Sequence, residues 1–195
     1  VKTLVGIDFG AKLAGATVAA VWRGELTFVA TPKKRDADAM LRGLLLSENI
    51  DVCCIDAPLS LPRAYTDSSL GDDYFYRACD RSLGAMSPMF LGGLTARAMR
   101  LRAEIYRERP QTRVAETYPA EQARRLGLRE TGYKQGKEGI APTLRRIARV
   151  MQTVLPENLP DWHHVDALLA LLAALRLDAG EATFYGDEAE GVIVI

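Results

Sequence analysis

Several features that would announce a function outright are missing from this chain. There are three cysteines in 195 residues, two of them adjacent in Val52-Cys53-Cys54-Ile55. They are too few for a disulfide framework and lack metal-ligand spacing, so they read as reduced core residues of a cytoplasmic protein. The longest apolar run, Ala167 to Leu175, is far short of the roughly 20 residues that span a bilayer, and no signal-peptide pattern opens the chain. No membrane partner is therefore expected. Internal repeats, low-complexity tracts and a clear domain linker are also lacking. Charge of either sign is not in excess: 25 Lys plus Arg face 25 Asp plus Glu, so the overall balance does not point to a polyanionic partner.

What is present is ordinary globular material, 48% hydrophobic and 26% charged. The length suits a single domain over 1–195, with an inserted loop and helix region around 57–93. At this size roughly 70% of the unfolded surface is buried on folding, so neither a disulfide nor a structural metal is needed. Charge is uneven locally. From Arg97 to Arg149 there are 14 basic residues against six acidic ones, either a set of solvated helix faces or a surface for a nucleic-acid backbone.

The first thirty residues read as an antiparallel meander: strands over 2–8, 15–22 and 25–31, the last two joined at Arg23-Gly24. A helix is expected over 36–47, then a fully apolar strand over 51–56 whose continuous hydrophobicity suits a central parallel position. From Ala57 to Tyr76 the pattern dissolves into a long loop with interspersed aromatics. Helices follow over 77–83 and 94–107, a strand over 112–116, and helices over 119–126 and 142–155. Asp161 then looks like the N-cap of a helix over 162–177 that is apolar almost all round and hence buried. Residues 183–185 and 191–195 pattern as a terminal hairpin across Gly186-Asp187.

This order predicts an α/β fold: a mixed five-stranded sheet, three antiparallel strands followed by two parallel ones, with helices on both faces and a C-terminal hairpin. The first strand would be central, with the fourth beside it. Three strands end in carboxylates, Asp8, Asp56 and Glu116, which the topology gathers on one rim. Like charges so gathered call for a counter-cation or a raised pKa. His163 and Asp166 share one face near the start of the buried helix, which can lay them against that rim.

Gly6-Ile7-Asp8-Phe9-Gly10, the apolar strand ending in Asp56, and His163-x-x-Asp166-Ala-Leu resemble the ribonuclease-H-like superfamily, in the style of the Holliday-junction resolvases. More specifically, several blocks are similar to domain-of-unknown-function family 429, described as predicted nucleases of ribonuclease-H-like fold. They are Ile55-Asp56-Ala57-Pro58-Leu59-Ser60-Leu61-Pro62, Arg77-Ala78-Cys79-Asp80-Arg81, Glu116-Thr117-Tyr118-Pro119-Ala120, Tyr133-Lys134 and the closing Glu190 to Ile195. Two departures from the resolvase pattern stand out: Asp56 is followed by Ala-Pro, and Glu116 comes from an additional strand.

The resemblance implies a metal-dependent nuclease or phosphodiesterase, with Asp8, Asp56 and Asp166 holding Mg²⁺ or Mn²⁺ for a two-metal displacement. Glu116 would be a further ligand or would orient water, and His163 would be a general base, a ligand or a structural residue. Arg63, Arg77, Arg81 and Lys134 either contact substrate phosphates or pair with nearby acids such as Asp67, Asp72, Asp73 and Asp80. The implied partner is DNA or RNA, and junction resolution would require a homodimer. Two other readings remain open. The glycine turn at 6–10 also resembles the first phosphate-binding turn of actin-like ATPases and sugar kinases, and a catalytically silent binding module would keep the fold without the chemistry.

Overall fold

The chain's β-formers build a single seven-stranded mixed sheet in a computed structural model that describes residues 1–69 and 71–195. The strands are β1 (Leu4–Asp8), β2 (Val18–Trp22), β3 (Leu26–Ala30), β4 (Val52–Asp56), β5 (Arg113–Thr117), β6 (Phe184–Asp187) and β7 (Gly191–Val194). Their spatial order is β3-β2-β1-β4-β5-β7-β6. β1 to β3 form the expected antiparallel meander, and β4 and β5 add in parallel beside β1.

The sheet is larger than the five strands expected. The C-terminal hairpin does not stand apart, because β7 pairs in parallel with β5 and brings β6 with it. Its turn also lies later than Gly186-Asp187, between Asp187 and Gly191. The hairpin is fastened to the region around 57–93: Glu190 accepts hydrogen bonds from the backbone N–H groups of Arg63 and Ala78, both at 2.8 Å.

Helices α1 (Ala37–Ser47), α2 (Ala78–Leu83), α3 (Pro88–Leu91), α4 (Gly93–Glu108), α5 (Pro119–Arg125), α6 (Ile140–Met151) and α7 (Trp162–Ala179) complete the fold. α1 is capped by Asp36, whose carboxylate accepts from the N–H groups of Asp38 and Ala39. α6 begins two residues before Pro142, which sits in the first turn, where a missing N–H costs nothing, and it ends at Met151 ahead of a left-handed Gln152.

Alternation along the strands sends side chains to two cores. Val5, Ile7, Cys53 and Ile55 face α1 and α4. Leu4, Val52 and Cys54 face α6 and α7. All three cysteines are free and buried.

α7 lies directly across β1. A Cβ placed on Gly6 would come within 1.9 Å of the Leu171 nitrogen and 2.5 Å of the Ala167 oxygen. Glycine here serves backbone-to-backbone contact between helix and strand. Among the described residues no helix is long and apolar enough to cross a membrane.

Candidate active site

Because Asp8 and Asp56 are exact register partners on adjacent parallel strands, and because each continues the face carrying Leu4, Gly6, Val52 and Cys54, both carboxylates point toward α7. There His163 and Asp166 meet them from the first turns of the helix. Asp161 caps α7 by accepting from the His164 N–H at 3.2 Å, and its carboxylate also bonds the His164 imidazole at 2.7 Å. The neighbouring His163 Nδ1 lies 2.7 Å from Asp8 Oδ2. That hydrogen bond raises the His163 pKa above its ordinary value, against the opposing effect of burial.

Asp166 is almost wholly buried and receives two donors from one short turn. The Tyr133 hydroxyl bonds its Oδ1, and the Lys134 ammonium lies 2.6 Å from its Oδ2. Burial pushes the Asp166 pKa up, with Lys134 and Tyr133 acting the other way. Asp56 is different. No side-chain hydrogen bond from a described residue reaches it, and burial, then Asp8 and Asp166, push its pKa well above the usual carboxylate range. Three acids thus converge, with the half-exposed Lys134 ammonium as the cation at hand and the His163 imidazole as a hydrogen-bond partner.

Glu116 is not one of them. It registers with Ile55 rather than Asp56, one residue short of the rim, and in a strand one residue changes the face. Its side chain therefore points away from α7, into a buried network. Arg77, fully buried, holds both Glu116 oxygens at 2.7 Å and both Asp80 oxygens at 2.7 and 3.0 Å, and reaches Ser60 at 2.8 Å. Those five bonds use all five guanidinium N–H groups. The Leu59 N–H adds a bond to Glu116 at 2.8 Å. Arg77 has no donor left for a substrate phosphate, and Glu116 no free oxygen on the aspartates' side of the sheet.

The other basic candidates are also paired. Arg63 bonds Asp187, Arg81 bonds Asp73 at 2.8 Å and stacks on Tyr76, and Lys134 bonds Asp166. All four are thus paired with acids, Arg77 and Arg81 with the expected Asp80 and Asp73, and Arg63 and Lys134 with Asp187 and Asp166 instead. Sequence spacing hinted at it for Arg77, since Asp80 is three residues on, but nothing local showed that Glu116 would join them.

The glycine turn offers little to a phosphate. Gly6 is pressed against α7, and the Gly10 N–H is already committed to Thr17 Oγ1 at 3.0 Å. A cleft of about 780 Å³ lined by Leu59, Ser60, Arg102, Glu116 and Gly191 lies off the aspartate cluster.

Among the described residues no group of three or more His, Cys, Asp or Glu side chains is arranged to hold a metal ion. In this structure His163 engages Asp8, Lys134 engages Asp166, and Arg77 has taken Glu116. In chemistry, the three aspartates are hard oxygen donors suited to Mg²⁺ or Mn²⁺, and Asp56 lacks a side-chain partner among the described residues. In kind, the donor set fits such an ion.

The sequence model of the family described as "Protein of unknown function (DUF429)" matches residues 91–190, 100 of the 195 residues. The chain belongs to this family. The DUF429 match takes in Glu116, Tyr133, Lys134, His163 and Asp166, and leaves Asp8, Asp56 and Arg77 to its N-terminal side. Comparison with curated proteins finds no match.

Proposed function

We propose that this DUF429 protein is a metal-dependent nuclease or phosphodiesterase built on a single ribonuclease-H-like domain. The observation that carries this reading is the convergence of Asp8, Asp56 and Asp166 from β1, β4 and α7, with Asp56 left unpaired among the described residues. Such an accumulation of like charge is costly unless a cation is part of the working state. The strand order, with a β1–β3 meander and parallel β4 and β5, is the arrangement that the resemblance implies.

Asp8, Asp56 and Asp166 would hold Mg²⁺ or Mn²⁺, which supplies a Lewis acid and an activated water for phosphodiester hydrolysis. The chain's own groups do the positioning. His163 fixes the rotamer of Asp8 through Nδ1, and the Tyr133 hydroxyl fixes Asp166. Burial against α7 keeps the carboxylates from turning out to solvent.

For the nucleic-acid partner, the pairings narrow the basic region. Arg97 is tied to Asp38, Arg100 to Glu104, and Arg124 and Arg125 to Glu121. Arg129, Arg145 and Arg149 are exposed and form no ion pair among the described residues. Arg145 and Arg149 line a shallow cleft with Arg146 and Thr131. This side of α6 is where a phosphate backbone would lie, with binding that weakens as salt rises.

The deciding experiment pairs calorimetric titration of Mn²⁺ with cleavage of single-stranded, duplex and junction substrates, in wild type and Asp8→Asn. Saturable binding and cleavage, both lost in Asp8→Asn, are expected. Absence of any saturable Mn²⁺ site leaves a silent binding fold, and cleavage that survives the substitution places the chemistry elsewhere.

A further inference from the structure

Lys134 is held in an unusual way for a surface lysine. Its backbone is left-handed at φ 58°, a region that residues with a Cβ enter reluctantly. The turn around it is fastened at several points. Tyr133 N–H donates to Leu128 O at 3.1 Å, and Gln135 N–H to Gly132 O at 3.0 Å. Gly132 and Gly139 lie so close that a Cβ on Gly139 would fall 2.3 Å from the Gly132 oxygen. The Tyr133 ring packs edge-on against Trp162 at the start of α7. The fold thus fixes a strained turn so that one hydroxyl and one ammonium land on the two oxygens of a single carboxylate.

A lysine that served only to neutralise Asp166 would need no such construction, and a lysine reaching for substrate would point outward. Lys134 instead turns its ammonium inward, to 2.6 Å from Asp166 Oδ2. Half of its side chain remains exposed, so a path out to solvent is open along the stem.

We infer that Lys134 is the resident counter-ion of the Asp8–Asp56–Asp166 cluster, and that a divalent cation enters only by displacing its ammonium from Asp166. The inference rests on the metal-dependent reading above and adds to it a competition within the chain. Tyr133 stays on the other oxygen and keeps Asp166 aimed during the exchange. At low metal the lysine lessens the repulsion among the aspartates.

The test is Mn²⁺ binding, read by calorimetry and by water-proton relaxation, in wild type, Lys134→Met, Lys134→Gln and Lys137→Met. Lys137 lies in the same loop region but makes no ion pair among the described residues, so it reports the effect of net charge alone. Lys134→Met and Lys134→Gln should tighten Mn²⁺ binding by about tenfold or more, the scale of one charge-assisted bond that no longer has to be broken. Lys137→Met should shift it much less, and adding Asp8→Asn to Lys134→Met should abolish it. Equal tightening by Lys137→Met and Lys134→Met reduces the effect to net charge and overturns displacement. Asp8-dependent Mn²⁺ binding that is unchanged or weaker in both Lys134 variants overturns the competition while the metal site stands. No saturable binding in any variant removes the metal reading and the competition with it.

Discussion

Two ionic clusters lie on opposite faces of the same sheet, a short distance apart, and they are built on contrary principles. Around Arg77, one guanidinium spends all five donors on Asp80, Glu116 and Ser60, and the planar fork leaves nothing adjustable. Around Asp166, three carboxylates share the Lys134 ammonium and the His163 imidazole, and Asp56 has no bonded partner among the described residues. The first cluster is saturated and buried, which is how a scaffold ties the 57–93 region to β5. The second is under-compensated and reaches solvent. Charged side chains alone do not separate the two roles. The fraction of donors and acceptors already satisfied does.

The sharpest way to break this contrast is Arg77→Met. Removing one partner of a buried ion network strands Glu116 and Asp80, and a loss of about 3–5 kcal/mol is expected in chemical denaturation. A stability change close to zero would mean that the network is not the tie it looks to be.

Asp56→Asn should act in the opposite direction. Because the folded state raises this carboxyl's pKa, the unfolded chain ionises first once pH passes the unfolded value near 4, and the resulting loss of stability grows until the folded pKa is reached. The asparagine variant should therefore match wild type below about pH 4 and be more stable at pH 7, by roughly 0.5–2 kcal/mol. It should lose Mn²⁺ binding at the same time. Thermal melts across pH check the sign. A variant less stable than wild type at pH 7 would show that Asp56 is compensated after all.

The smallest effect is set at the surface. Arg81, with the Tyr76 and Phe75 N–H groups, holds Asp73 down to about 2. Its contribution is complete above the ordinary carboxyl value and is lost as pH falls through about 2. In Arg81→Ala the Asp73 carboxyl, followed by NMR, should titrate at higher pH, while the aspartate cluster across the sheet is undisturbed. No movement of the Asp73 titration would mean that the backbone bonds alone hold it.

Much of this geometry is readable from the chain. The β1–β4 pairing, the cap at Asp161 and the buried α7 follow from apolar periodicity and from one capping residue, and they are enough to bring Asp8, Asp56 and Asp166 together. Glu116 escapes the same logic because β5 runs on through Thr117, so the last acid of the strand is not level with the last acid of its neighbour. Register is set by pairing partners, which no single strand displays. Arg77 escapes for a related reason: its burial comes from three segments far apart in sequence. The hairpin's incorporation into the sheet depends likewise on a two-residue pairing between β5 and β7 and on Glu190 gripping distant backbone.

The bare contact at Gly6 has a mechanical meaning for the site. Asp8 lies two residues beyond it on β1, and Asp166 lies one residue before Ala167, whose carbonyl meets Gly6. With no side chain between the two backbones, the span across the acidic cluster is gauged by main chain against main chain. Rotamer changes or repacking elsewhere in the core can then alter the protein's volume without altering that span, whereas one methyl group at position 6 acts as a shim beneath α7.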